Sequence, residues 1–464
     1  SWLIKQNIKF IFLPCIPYER EEDENANNHF NCPIVTSYGE NIKNNMEELK
    51  EQNVHFMDPF VSFLNEEVAT KELVKVFTKE FKMTSSEVKE ACHLAWEEMM
   101  NCRHDIQKKG EETLRYLEET GRKGIVLAGR PYHVDPEINH GIPELINSYG
   151  LAVLSEDSIS HLGKVERPII AMDQWTYHTR LYSAASFVKT RDDLDMIQLN
   201  SFGCGLDAVT TDNVNDILSS GNKIYTVLKI DEVNNLGAAR IRIRSLIAAL
   251  KVRDKKNYKR EYKSSAYKRV EYTEDMQKEG YTILCPQLSP IHFNILEPAL
   301  RSCGYHFVML QNFEKSAVDT GLKYVNNDAC YPSIIITGQI MEALLSGKYD
   351  LNKTAVVITQ TGGGCRASNY IGFIRRALQK AGLEHIPVIS LSVQGIETNS
   401  GLKYNFDLVK KVIMSLHFGD ILMNVLYRTR PYEAVPGSAN ELAAKMENKC
   451  ADFFKEKRVS LGKF

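Results

Sequence analysis

Strands and helices alternate along most of this chain, and the alternation is the feature that most restricts its fold. In the second half, YTILC, HFVML, TAVVITQ and PVISLSV are typical of short buried strands, and the segments between them have apolar residues at helical spacing. The first half repeats the pattern around GIVLAG, LAVLSED and LDMIQLN. The sequence therefore predicts an α/β fold with two Rossmann-like or flavodoxin-like parallel-sheet domains that carry helices on both faces.

Two helical segments and one charged segment interrupt this pattern. Apolar residues at helical spacing predict a helical insertion over 61–121, in which Ser85 and Ser86 form the N-terminal cap of a helix. The first α/β domain then comprises 1–60, which opens with a buried strand at 8–14, and 122–251. A charged connector over 252–276 leads to the second α/β domain at 277–400 and a helical C-terminal segment at 401–464.

Composition excludes several classes of function. The formal net charge of −2 gives no basic surface for nucleic acid, and no apolar run is long enough for a membrane span. No secretory signal precedes the first strand, so we expect a cytoplasmic protein. The chain starts with SWLIKQNIKF, without Met, and we expect it to be an N-terminally truncated piece of a longer polypeptide.

Six of the ten cysteines share one kind of position, the end of a strand or the start of a helix. At the carboxyl edge of a parallel sheet, helix N-termini offer free N–H groups and partial positive charge, which favour a metal-binding thiolate. These candidate metal ligands are Cys15, Cys32, Cys204, Cys285, Cys330 and Cys365. The other four, Cys92, Cys102, Cys303 and Cys450, lie within or at the ends of helices, which favours small buried hydrophobes.

The six candidates divide into three per half, and this division favours an iron–sulfur cluster. No C-x-x-C is present, which argues against a zinc ribbon or a ferredoxin-type run. Cysteines that converge from separate loops suit a cubane with one open iron, although six ordinary buried thiols remain the alternative. Gly362, Gly363 and Gly364 precede Cys365, remove side chains that would collide with a cluster and can donate N–H groups to its sulfides.

A polar loop follows the strand GIVLA in the first half. GRPYHVDPEINHG contains Arg130, His133 and His140, and either histidine could donate protons to a substrate at the cluster. A structural loop whose polar groups bind backbone is the equal alternative, and a zinc site is a third. The stretch DQWTYHTRLYSAASF at 173–187 has an aromatic pattern that is more typical of a core.

Several long motifs resemble the 2-hydroxyacyl-CoA dehydratase superfamily. They include FLPCIPYERE, GRPYHVDPEINHGIPELI, LNSFGCGLDAVTTD, NNDACYPSIIITGQI and TQTGGGCRASNYIGFIRRAL. The chain is most similar to the branch of large proteins in which activase ATPase domains precede a dehydratase-like part, a branch similar to the double-cubane cluster proteins. That resemblance implies an [8Fe–9S] centre held by six cysteines, with an ordinary [4Fe–4S] cluster as the alternative.

The resemblance also implies a function and a partner. An ATP-hydrolysing activase, fused N-terminally or separate, would deliver electrons to the cluster, where a small molecule or an acyl-CoA would be reduced or dehydrated. Two other hypotheses stay open, a 2-hydroxyacyl-CoA dehydratase-like component with [4Fe–4S] and a non-catalytic cluster-binding subunit. The oligomeric state stays open as well, with a homodimer as one option.

Overall fold

The structure, a computed structural model, describes residues 2–231, 236–312, 314–392 and 395–455. The chain divides into two units. Unit 1 comprises residues 1–267 together with the short loop 363–365, and unit 2 comprises residues 268–362 and 366–464. Each unit contains a four-stranded parallel sheet with helices, which confirms the predicted fold class.

Unit 1 is built on two parallel sheets. The larger sheet has the strand order β4-β3-β5-β6, and a separate ribbon pairs β1 with β2. The strands are β1 Phe10–Phe12, β2 His55–Met57, β3 Gly124–Ala128, β4 Ala152–Ser155, β5 Leu194–Ser201 and β6 Tyr225–Ile230. The helices are α1 Trp2–Lys5, α2 Pro33–Asn45, α3 Glu47–Glu51, α4 Glu66–Phe81, α5 Ser85–Thr120, α6 Pro136–Asn139, α7 Ile142–Asn147, α8 Thr176–Thr190, α9 Gly205–Ser220 and α10 Leu236–Lys255.

The larger sheet of unit 1 is buried on both faces, as an all-parallel sheet requires. Because side chains alternate along a strand, Val126 of β3 packs with α5, α8 and α9, whereas Ile125 packs on the other face with α7 and α10. The sheet is therefore the middle layer of three, and its carboxyl edge stays free for loops.

The small ribbon departs from the sequence prediction. The predicted buried strand at 8–14 is only Phe10–Phe12, and both terminal residues are more than a third exposed. The prediction of burial is wrong because β1 pairs with β2 alone in a two-stranded sheet, which leaves Phe10 and Phe12 partly exposed. The Phe12 ring instead meets Phe77 of α4 at 5.4 Å.

The helical insertion of unit 1 consists of α4 and α5. The N-terminal cap of α5 is Thr84 rather than the predicted Ser85 and Ser86, because Thr84 and Glu87 form a reciprocal capping box. Gly121 ends the 36-residue helix in the left-handed conformation, with φ of 63°.

Unit 2 repeats the three-layer plan with the strand order β10-β9-β7-β8. Its strands are β7 Thr282–Cys285, β8 His306–Met309, β9 Thr354–Thr359 and β10 Val388–Leu391. Its helices are α11 Glu274–Lys278, α12 Pro290–Arg301, α13 Lys315–Tyr324, α14 Tyr331–Leu345, α15 Tyr370–Lys380, α16 Phe406–Thr429 and α17 Ser438–Phe453. Leu284 packs on the face covered by α14 and α15, and Ile283 packs on the opposite face with α12 and α16.

The predicted connector contains the boundary between the units, which falls after Tyr267. Helix α10 extends to Lys255 and α11 begins at Glu274, so residues 256–273 form neither helix nor strand. None of the helices formed by the described residues offers an apolar run long enough to cross a bilayer.

Two glycines let α13 and α14 of unit 2 approach each other closely. A Cβ built on Gly338 would lie 1.8 Å from the carbonyl oxygen of Ala317, and one on Gly321 would lie 2.1 Å from that of Ile334. The obstacles are backbone atoms, which cannot rotate away as a side chain does.

Gly338→Ala is therefore expected to destabilise unit 2 by about 1–3 kcal/mol, because the helices must separate to admit the methyl group. Thermal unfolding followed by far-UV circular dichroism measures the change. Leu345→Ala, on the same helix at a position that is 54% exposed, is the control and should change stability by less than about 0.5 kcal/mol. An unchanged melting temperature for Gly338→Ala would show that the two helices are not packed this tightly.

Candidate functional site

Three of the predicted cysteine ligands occupy the same structural position, the N-cap of a helix. Cys32 caps α2, Cys204 caps α9 and Cys330 caps α14. None of the three side chains makes a capping hydrogen bond. Because Ser, Thr, Asp and Asn are the side chains that stabilise an N-cap, cysteine at three such positions contributes little to the helices themselves.

A buried ion pair lies beside Cys204 at the carboxyl edge of the unit 1 sheet. Arg130 follows β3, and its Nε donates to Oδ1 of Asp207 at 3.0 Å, with both side chains at most 5% exposed. The Nη2 of Arg130 lies 4.0 Å from Sγ of Cys204. Asp207 thereby fixes a guanidinium group against a candidate metal ligand.

The electrostatics of this group follow from burial and from the ion pair. Burial alone would raise the pKa of Asp207, but Arg130 and His178 outweigh it and hold the value at about 2. Burial alone would lower the pKa of Arg130, but Asp207, Cys204 and Cys32 together raise it. The pair therefore stays ionised throughout the physiological range.

The free thiol of Cys204 is less acidic than its helix position predicts. Burial and the charge of Asp207 raise its pKa, and Arg130 acts in the opposite direction. Thiolate formation at this position therefore needs a further positive charge, which a bound metal ion supplies when it displaces the proton.

The two predicted proton donors, His133 and His140, lie in different environments. His133 is buried, its Nδ1 accepts the Arg130 backbone N–H at 2.8 Å, and its Nε2 has no hydrogen-bond partner among the described residues. Burial lowers the pKa of His133 to about 4, so the ring is neutral near pH 7 with its proton on Nε2. The Nε2 of His140 instead lies 2.8 Å from the carbonyl oxygen of Asp231.

His140 lines an open cavity at the carboxyl ends of β5 and β6. The cavity has a volume of about 670 Å³ and also presents Glu137, Ser201 and the exposed ring of Phe202. Its size falls within the range of small-molecule sites. Of the two histidines, His140 is the one that faces space large enough for a substrate.

Two residues of this group, Asp207 and His178, were not predicted as site residues from the sequence, and His178 was interpreted as part of the core stretch 173–187. His178 is fully buried, and neither of its ring nitrogens has a hydrogen-bond partner in the part of the chain that the structure describes. Its Nε2 lies 3.8 Å from Oδ1 of Asp207. Burial, followed by the charge of Arg130, lowers the pKa of His178 to about 3. Asp207 stands three residues after Cys204, a spacing that puts it in the first turn of α9, and this was the available signal.

The glycine loop before Cys365 is anchored by its carbonyl groups. Nε2 of Gln174 donates to the carbonyl oxygens of Gly363 and Cys365 at 2.9 and 3.2 Å, and Nε1 of Trp175 donates to that of Gly364 at 3.0 Å. Both donors are at most 1% exposed, which confirms that the 173–187 stretch is core. The Cys365 side chain itself is exposed.

The chain's own packing does not require glycine at two of the three positions. Gly362 has φ of 73°, a conformation that favours glycine. A Cβ at Gly363 would meet no atom of the described residues within 4 Å, and one at Gly364 would make ordinary contact with Phe30 at 3.5 Å. The described residues therefore leave space beside the loop at the position where a bound group is predicted.

The remaining predicted ligands have sulfur atoms in close contact with the protein. In unit 2, Sγ of Cys330 lies 3.0 Å from the hydroxyl oxygen of Tyr370, and Cys285 ends β7 within an apolar cluster. Burial raises the pKa of Cys285 to about 12. In unit 1, Cys15 is fully buried, and a Cβ on Gly39 would lie 2.9 Å from its Sγ. Ligation by Cys15 or Cys285 stays a prediction.

The described part of the chain contains no group of three or more His, Cys, Asp or Glu side chains arranged to hold a metal ion. Four of the predicted ligands, Cys32, Cys204, Cys330 and Cys365, have thiols that are not fully buried, and their ligation of a cluster stays a prediction, as it does for Cys15 and Cys285. Among the other cysteines, the prediction of burial is wrong for Cys102, because α5 packs through other residues and leaves this position exposed.

The fold and this group of residues define an α/β protein with parallel sheets and with predicted thiol ligands, three of them at helix N-caps. Residues 1–159 match a family model described as the CoA enzyme activase uncharacterised domain (DUF2229). This match confirms the resemblance to the 2-hydroxyacyl-CoA dehydratase and activase superfamily over that part of the chain. Searches of curated proteins and of solved structures returned no match.

Proposed function

We propose that this protein is the iron–sulfur component of an ATP-dependent, low-potential reductase or dehydratase system. The observation that carries the proposal is the position of Cys32, Cys204 and Cys330 at three helix N-caps that their side chains do not cap. A thiol that contributes little to its own helix is free to ligate a metal, and the helix N-terminus supplies N–H groups around it. The match to a CoA enzyme activase domain gives independent support.

The ligands we propose are Cys32, Cys204, Cys330 and Cys365. Cys15 and Cys285 complete the predicted set. A bound double-cubane cluster would supply electrons at low potential, and its own thiolates and sulfides would add negative charge. Arg130 would offset part of that charge at Cys204, and Asp207 would hold Arg130 in place.

Residues of unit 1 would bind the substrate and donate protons to it. The 670 Å³ cavity at the ends of β5 and β6 can admit a small molecule or part of an acyl-CoA. His140 is the candidate proton donor there, since it lines this cavity. His133 would orient Arg130 through its Nδ1 contact with the Arg130 backbone rather than exchange protons with the substrate.

We propose an activase ATPase as the electron donor, either fused N-terminally in a longer protein or separate. The activase description of the matched domain supports this partner. Two alternative functions remain. One is a 2-hydroxyacyl-CoA dehydratase-like component with a [4Fe–4S] cluster, and the other is a non-catalytic cluster-binding subunit.

Iron and acid-labile sulfide per chain, measured on protein purified without oxygen, test the proposal. We expect about eight irons with slightly more sulfide than iron, and a low-temperature EPR signal after reduction. About four irons per chain would indicate a single cubane instead of a double cubane and would favour the dehydratase-like alternative. Folded protein that binds no iron after reconstitution would overturn the proposal.

A further inference from the structure

An apolar cavity in unit 1 lies between α4 and α5, and none of the six predicted cysteine ligands is among its lining residues. Its volume is about 420 Å³, within the range of small-molecule sites. Phe12 of β1, Phe77 of α4 and Trp96 of α5 form walls, and Thr70 and Cys92 are the polar exceptions in an otherwise apolar lining.

Small residues create this space. Ala91 and Ala95 stand one helical turn apart on α5 and line the cavity opposite α4, where a larger side chain would fill the gap. Both alanines are exposed, so a ligand can reach the cavity from solvent.

A second, polar cavity of about 220 Å³ adjoins the first, and the two share Phe63 and Met99 as walls. Its lining includes Arg20, Arg103 and Arg180. Two of these arginines already have carboxylate partners. Arg103 donates to Glu22 at 2.6 Å, and Arg180 donates to Glu156 at 2.7 Å.

Arg20 differs from the other two. Its Nη1 contacts the sulfur of Met100 at 2.8 Å, and among the described residues no carboxylate lies within ion-pair distance of its guanidinium group. Burial, followed by the charge of Arg103, lowers the pKa of Arg20, and the charge of Glu22 acts in the opposite direction. A bound anion would add to the effect of Glu22. Glu19, Glu22 and Asp157 also line this cavity and would repel a doubly charged ligand such as phosphate more strongly than a monocarboxylate.

We propose that the two cavities form one binding site for a monocarboxylic acid with an aliphatic chain. The chain lies between α4 and α5, and the carboxylate accepts hydrogen bonds from Arg20. Arg20 has no ion-pair partner among the described residues, and it lies beside an apolar cavity. A ligand with one carboxylate and an apolar tail matches this combination. The site requires no iron and does not depend on the proposed function.

Titration calorimetry of the full chain with decanoate, decanol and decylamine tests this site. We expect decanoate to bind most tightly and to change the fluorescence of Trp96. Arg20→Met should weaken the binding of decanoate by about 10-fold or more, since a hydrogen bond to a charged group is lost. The same variant should leave the binding of decanol unchanged. Lys89→Met, an exposed change on α5 outside both cavities, is the charge control and should leave decanoate binding unchanged.

Ala95→Phe fills the apolar cavity and should abolish binding of both decanoate and decanol. Ala91→Leu fills the same gap from one turn earlier and keeps the test informative if Ala95→Phe does not fold, as judged by circular dichroism. The proposal is overturned if wild-type protein does not bind decanoate, if both filled variants bind it normally, or if Arg20→Met binds it as tightly as wild type.

Discussion

Cys365→Ala is expected to lose its bound iron, from about eight irons per chain to none or a small remainder, if the proposed cluster is present. The reason is that Cys365 offers an exposed thiol on a loop whose carbonyl groups are already held by Gln174 and Trp175. Because that side chain is exposed, its loss removes a ligand without opening a cavity in the core. Iron analysis of anaerobically reconstituted protein measures the effect.

Two cysteine variants serve as matched controls. Cys102→Ala removes another exposed thiol, and Cys303→Ala removes a half-buried thiol whose Sγ lies 3.8 Å from Oδ2 of Asp407. Both should retain the iron content of wild type. Cys330→Ala should lose iron as Cys365→Ala does. Full iron content in Cys365→Ala would rule out this residue as a ligand. It would also argue against the hypothesis that the three glycines before Cys365 make room for a cluster.

Asp207→Ala is expected to lower the free energy of unfolding of unit 1 by about 3–5 kcal/mol at neutral pH, because it leaves the buried charge of Arg130 without its partner. Urea unfolding followed by tryptophan fluorescence measures this loss. The signal is specific to unit 1, since all three tryptophans, Trp2, Trp96 and Trp175, lie there.

The same pair predicts a pH dependence. The pKa of Asp207 is about 2 in the folded protein and 3.8 as its ordinary value, so folding favours the ionised carboxylate. The resulting stabilisation, about 2 kcal/mol, is present in full above pH 4 and is lost as the pH falls towards 2. Asp207→Ala should therefore show a shallower loss of stability than wild type over that interval. Identical acid profiles would mean that Asp207 is not held ionised by Arg130.

A double variant separates the charge effect from packing. Arg130→Leu combined with Asp207→Leu removes both charges, and a buried pair replaced by apolar residues is often neutral in stability. We expect the double variant to be more stable than Asp207→Ala. A double variant as unstable as the single one would show that shape, rather than the unpaired charge, causes the loss.

The sequence by itself determined the fold class and the type of position that the cysteines occupy. Strand and helix periodicity is local, so the pattern through YTILC and TAVVITQ predicted the parallel sheets. The same local pattern placed Cys32, Cys204 and Cys330 at helix starts, and Pro33 and Pro332 in the first turns supported those boundaries. The sequence also predicted that α5 begins near residue 85 with a hydroxyl side chain as its N-terminal cap. The capping residue is Thr84 and not the serines that follow it.

Only the tertiary structure decided which side chains meet around those cysteines. Arg130 and Asp207 are separated by 77 positions, and they pair because β3 and β5 are neighbours in the sheet. The loop 363–365 belongs to unit 1, where Gln174 and Trp175 bind it, although the sequence around it belongs to unit 2. Such contacts depend on strand order and loop path, which are set by the packing of the whole chain and leave no local pattern in the sequence.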